Sequence, residues 1–304
     1  MKKIATFKAV LFTLITLFSS LAFDAFSAPK ITSNYNKVSD GYNFWLVEPE
    51  GDTVEKKPVV IFLHGASLCG SDLNKVRRYG TLAAVEKGRE IDAYVIAPQN
   101  PGGSWKPSKV MNILKWVEEN YNVDTDRVYV LGMSLGGYGT IDFAATYPDK
   151  VAAAMAFCGG GTVKDLSGLG ELPLWIVHGT ADRSVSVSQS DRVVSAVKNS
   201  GEYSRLYYDR IPGMNHSQPA RLFYLEDTYK WLFSHSLKDK DRAAAEKFAI
   251  SGDVMKTAYS GLNHKAGYRG SSSKNTASKA KTTRKSSSRK GKHYASGKSS
   301  RRRG

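Results

Sequence analysis

Cysteine is nearly absent, with Cys69 and Cys158 the only two among 304 residues. Two cannot build a disulfide scaffold, and no His/Cys cluster has the spacing of a zinc site, so no metal or other cofactor is expected. A single bridge between them stays open if the fold brings them together; two separate small apolar side chains is the plainer alternative. Long hydrophobic runs are also scarce. Residues 9–23 form an uncharged, mostly apolar stretch of fifteen, short of the ~20 needed to span a bilayer. Acidic residues are missing altogether from 262 to 304, where fourteen Lys and Arg are found. With that segment and the net +2 of the first 28 residues set aside, residues 29–261 carry about zero of the total +16. The basic character therefore belongs to the tail.

These shortages divide the chain into three. Residues 1–27 read as a Sec-type signal peptide: a basic start containing Lys2, Lys3 and Lys8, the apolar stretch, then small Ala25 and Ser27 before a cleavage site at Ala28. Export to the periplasm or the exterior is the expectation, with no membrane span after cleavage. Residues 28–260 carry the apolar and aromatic residues needed for one core. Residues 261–304 are rich in Ser, Lys and Arg, lack periodicity, and cannot bury enough surface to order themselves. The expected partner of this disordered tail is an anionic envelope or matrix polymer rather than nucleic acid, which an exported protein seldom meets.

The body alternates two patterns. Strand-like segments, most of them apolar runs, fall at 58–63, 93–97, 127–131, 152–157, 172–177 and 204–211, with a further strand at 42–47. Runs apolar on both faces suit central parallel strands. Between them lie helical stretches, as at 109–120, where Val110, Ile113, Leu114 and Val117 share one face; 140–147, 188–199 and 222–234 behave alike. Residues 237–255, given 237–249 and its Ala-rich middle, read as a closing polar helix. This alternation predicts an α/β fold with a mostly parallel sheet of about eight strands, covered by helices on both faces.

The sharpest local signal is Gly132-Met133-Ser134-Leu135-Gly136, between a strand and a helical pattern. In that setting the serine sits on a tight strand-to-helix turn, where glycines avoid collisions with neighbouring elements. A serine hydroxyl needs a base, and the base needs an orienting carboxylate. The partners are expected to follow in the order acid, then histidine. Among the later histidines, His264 and His293 lie in the tail, His235 near a helix end as a surface or cap residue, and His178 at the end of a strand as a packing residue. His216 remains, in a loop at the carboxyl end of a strand, where open α/β sheets bind ligands. Asp182 occupies the equivalent place one strand earlier; Asp165, in a Gly-rich loop, is the second candidate acid, whereas Asp142 and Asp149 fall on the helix after the serine. The expected oxyanion donors are the N–H groups of Leu135 and, after the strand at 58–63, of Ala66. His64 is expected to fix that loop. Trp105, Met133 and Asn215 are the expected substrate contacts.

Taken together, Phe62 to Gly65, Val128 to Gly139, Cys158 to Gly161, Trp175 to Gly179 with Asp182, and Gly213 with His216 resemble the α/β-hydrolase superfamily. The likeness covers residues 40–235 and is to secreted esterases of the dienelactone hydrolase, phospholipase/carboxylesterase and feruloyl or polyhydroxybutyrate esterase group. It implies a serine carboxylic-ester hydrolase. The same triad would also serve a peptidase or thioesterase, and a catalytically vestigial envelope-binding protein is the alternative of another class. Only about 14 residues separate the strands ending at 157 and starting near 172. That leaves no room for a large cap domain, so the site should be an open cleft suited to bulky or polymer-linked esters.

Overall fold

The computed structural model describes residues 29–51 and 54–262; the expected signal peptide and nearly all of the expected disordered tail lie outside them. Eight strands form one sheet: β1 (Lys30–Asn34), β2 (Asn43–Glu48), β3 (Lys57–Leu63), β4 (Tyr94–Gln99), β5 (Val123–Met133), β6 (Ala153–Phe157), β7 (Leu174–Gly179) and β8 (Leu206–Ile211). Their order is β1-β2-β4-β3-β5-β6-β7-β8. The first two strands are antiparallel to their neighbours; all later pairings are parallel. β1 was not distinguished by sequence pattern, because a short, largely polar edge strand carries no continuous apolar run.

Six helices cover the sheet: α1 (Thr81–Glu86), α2 (Pro107–Asn120), α3 (Leu135–Thr146), α4 (Ser188–Asn199), α5 (Glu226–Phe233) and α6 (Gly252–Thr257). The period-2 alternation of strand side chains divides the core in two. Val59, Ile61 and Leu63 face one side with α2, α3 and α4, while Val60 and Phe62 face the other with α1, α5 and α6. Each layer thus shields one face of strands that are apolar on both. Burying a large side chain such as Ile61 or Phe62 contributes about 1.5–3 kcal/mol.

The closing segment differs from expectation. Residues 237–251 form only a short 3-10 turn, Lys240–Arg242, with Asp241 and Arg242 at positive φ, and the α-helix begins only at Gly252, as α6. Tertiary bonds outweigh the Ala-rich propensity. Arg242 donates to the carbonyls of Pro148 and Val151, Lys247 pairs with Asp209, and the Phe248 ring packs 4.8 Å from Trp175. The N–H of Ala245 donates to Nε2 of His235, which is buried against Trp231 rather than lying at the surface. Such fixed, non-repeating partners require an extended path.

Register brings the carboxyl ends of the central strands side by side. Leu63 pairs with Gly132, Met133 with Phe157, Phe157 with Val177, and Gly179 with Ile211. Between β6 and β7 the chain makes only loops and one 3-10 turn, Ser167–Glu171. No large cap domain is inserted there.

Candidate active site

Ser134 is the junction of β5 and α3. Its backbone has φ +59° and ψ −122°, a left-handed-side conformation costly for a side-chain-bearing residue. The turn is held by its N–H, which donates to Phe157 O at 2.9 Å. Leu135 is the first helical residue, so its N–H lacks an intrahelical acceptor. Across the edge, Gly65 packs on the same junction: a Cβ on it would lie 3.3 Å from Ser134 Cβ. Ala66 follows, exposed, at the start of a 3-10 turn.

The loop bearing Ala66 is pinned by buried groups. His64 is fully buried; its Nδ1 meets Gly65 O at 2.8 Å and its Nε2 accepts the N–H of Asn100 at 3.0 Å. Burial lowers its pKa to about 4, so the ring is neutral near pH 7. The N–H of Gly65 donates to the Tyr79 hydroxyl at 2.8 Å. Trp105, expected to line the cleft, is instead 3% exposed. It packs against Gly139 of α3 and edge-on to Tyr42, and its indole N–H donates to His64 O at 3.2 Å. A buried indole needs such an acceptor, and the one available lies below the cleft.

The acid and the histidine meet. Asp182 Oδ2 lies 2.7 Å from His216 Nδ1, while Oδ1 accepts the N–H groups of Ser184 and Val185 at 2.8 and 2.9 Å. Burial would raise the Asp182 pKa, but the bonds from His216, Val185 and Ser184 outweigh it and hold the carboxyl below its ordinary value. The two loops are tied together: Thr180 N–H donates to Ile211 O, Ala181 N–H to Met214 O, and Gly213 N–H to Thr180 Oγ1. Asn215 is exposed, and its Oδ1 accepts the N–H and hydroxyl of Ser217, bracing the His216 turn. Met133 is 6% exposed, at the end of β5. Asp165, the other candidate acid, is exposed and spends its Oδ1 on Ser167.

Cys158 joins these parts, a place that the sequence, which offered it as a bridge partner or a small apolar side chain, did not indicate. Its Sγ lies 3.7 Å from His216 O. Burial pushes the thiol pKa up, the Asp182 charge adds to this, and the Ser134 backbone acts against it. Ligand atoms of Cys158, Asp182 and His216 lie within 4.8 Å of one another, the sole such trio among the described residues. With the thiol held protonated and Asp182 already paired to His216, these donors serve one another. Both cysteines are unpaired.

A parallel sheet whose strand ends present a strained serine, a carboxylate–histidine pair and free helix-start N–H groups is the architecture of the α/β-hydrolases. The chain belongs to the Esterase family ("Putative esterase"), whose pattern it matches over residues 41–221. It is similar to a probable acetylxylan esterase A of Aspergillus fumigatus, 27% identical over 173 residues, 48% of this chain and 45% of that one. Over 70 residues it is 42% identical to acetylxylan esterase A of Emericella nidulans, 23% of this chain and 22% of that one. The chain thus spans less than half the length of these curated relatives. In fold it is similar to a thermostable esterase (TM-score 0.56, 24% identity, 69% of this chain and 63% of that one). It is also similar to the feruloyl esterase module of Clostridium thermocellum (TM-score 0.53, 17% identity, 70% and 90%).

Proposed function

We propose that the protein is a serine carboxylic-ester hydrolase acting through an acyl-Ser134 intermediate. Ser134 Oγ attacks the ester carbonyl carbon while His216 Nε2 takes its proton. The N–H groups of Leu135 and Ala66 stabilise the resulting oxyanion. Collapse expels the alcohol, which receives the proton from His216. Water, deprotonated by His216, then attacks the acyl group, and the carboxylic acid leaves as Ser134 recovers its proton. Asp182 keeps the proton of His216 on Nδ1 and stabilises the imidazolium that forms twice per cycle. The observation that carries this reading is the 2.7 Å His216–Asp182 bond, on loops tied together at the strand edge that also holds the strained Ser134.

The short β6–β7 connection and relatives named as acetylxylan and feruloyl esterases support the substrate class. Both favour acyl groups on an exposed or polymer-linked alcohol, contacted by the rim around Asn215. Residues 1–27 would act as an export leader to the periplasm or exterior. Residues 261–304, with their unbalanced positive charge, would hold the enzyme near an anionic polymer. The decisive test is hydrolysis of p-nitrophenyl acetate by the protein and by Ser134→Ala, with fluorophosphonate labelling of Ser134. Turnover and labelling that vanish in the variant are expected; equal inertness of both proteins overturns the reading. Rates on acetyl, feruloyl and hydroxybutyryl esters then separate the acyl classes.

A further inference from the structure

Asp182 has no exposed side-chain surface, and its carboxylate has a second histidine beside it. Besides His216, Oδ2 lies 3.3 Å from Nε2 of His178, a fully buried residue that plays no part in the proton transfers above. The same Nε2 lies 3.0 Å from Val185 O. Neither a carbonyl nor an ionised carboxylate carries a proton, so the hydrogen between these groups belongs to Nε2. Burial lowers the His178 pKa against the pull of Asp182, which makes the ring neutral near pH 7. Its single proton being on Nε2, Nδ1 is an acceptor for the Ser190 hydroxyl, 2.7 Å away at the start of α4.

The one Ser190 hydroxyl proton is shared between His178 Nδ1 and Gly159 O, which lies 2.9 Å from Oγ. Gly159 packs directly on the nucleophile helix: a Cβ on it would lie 2.5 Å from the carbonyl carbon of Gly137 and 2.7 Å from Tyr138 N. A continuous set of contacts therefore runs from the Asp182 carboxylate, through His178 and Ser190, to the first turn of α3. We propose that His178 is a positioning residue of the catalytic site, whose Nε2–H holds the Asp182 carboxylate so that Oδ2 stays aligned on His216. Loss of that donor leaves the carboxylate held on the Oδ1 side by two N–H groups but free to turn its other oxygen away from the imidazole. This rests on the hydrolase reading and adds to it a group that touches neither substrate nor the reacting atoms.

The test compares His178→Gln, which keeps an N–H donor of similar reach, with His178→Met, which keeps volume without one. On p-nitrophenyl acetate, His178→Met should lower kcat by about 10- to 100-fold, the scale of losing an orienting partner, with KM unchanged within about twofold. His178→Gln should restore most of the loss. Long-range proton–nitrogen NMR of the unmodified protein should show His178 neutral and protonated on Nε2. Wild-type kcat in His178→Met overturns the proposal, as do equal losses in both variants or an Nδ1-protonated ring. The NMR measurement stands even if a variant fails to fold. If wild-type activity survives Ser134→Ala, the hydrolase reading fails instead, whatever the His178 tautomer.

Discussion

Gly136 and Leu63 meet backbone to backbone: a Cβ on Gly136 would stand 1.8 Å from the Leu63 carbonyl oxygen. This contact sets how closely α3, with the Leu135 N–H, approaches the end of β3, with Ala66. Gly136→Ala must push the two apart, because the obstructing atom is backbone and has no rotamer to escape into. The expected cost is about 3 kcal/mol or more, a fall in Tm of roughly 10 °C, measurable by calorimetry. Residual folded protein should hydrolyse p-nitrophenyl acetate poorly, since the proposed oxyanion donors, Leu135 and Ala66, would no longer converge. An unchanged Tm would contradict the packing.

Asp182→Asn tests the carboxylate separately from the fold. An amide oxygen can still accept from Ser184 and Val185, so the loop should persist and Tm should change little. The amide NH2 facing His216 Nδ1 would favour the opposite tautomer, leaving no base toward Ser134. A kcat loss on the order of 10⁴ at pH 7 is expected, with fluorophosphonate labelling slowed in parallel.

Tyr79→Phe removes the acceptor of the Gly65 N–H. A buried donor left unmatched costs about 1–3 kcal/mol, and here it lies at the base of the Ala66 loop. Stability should fall by that amount in urea titration, and kcat should fall more than KM changes.

Acid should destabilise the fold through His64. Its folded pKa of about 4 lies below the unfolded value of about 6.5. Between those values the unfolded chain binds more protons, so stability rises with pH across the window and is lost as pH falls through it. The full effect is on the order of 3 kcal/mol. His178 and His235, also shifted down by burial, act in the same direction. Tm measured from pH 7 to pH 4 should drop, and His64→Gln should have a shallower slope.

What could be read from the sequence was what periodicity and chain order encode. β3, β6 and β7 were legible because strands buried on both faces must be apolar throughout. The strand-end positions of Ser134, Asp182 and His216 were legible because each follows a strand. The six-residue α1 was too short to establish a period, and 237–249 was misread because its hydrogen-bond partners, Pro148, Val151 and Asp209, are distant in the chain. Distance also hid Tyr79, fourteen residues from the Gly65 it anchors, and Cys158, whose role exists only once three strand ends align. For Trp105 the sequence is equally compatible with lining the site and with plain packing, since it does not say which way an indole turns; the side chain is buried.

The unpaired state of Cys69 and Cys158 has a bearing on where this protein can mature. With no crosslink among the described residues, cohesion comes from two apolar layers and from backbone bonds at the strand edge. On that basis folding should not depend on the thiol–disulfide poise of its surroundings. The chain should reach the same native state in a reducing cytosol as in an oxidising exterior, and dithiothreitol should leave its melting temperature unmoved.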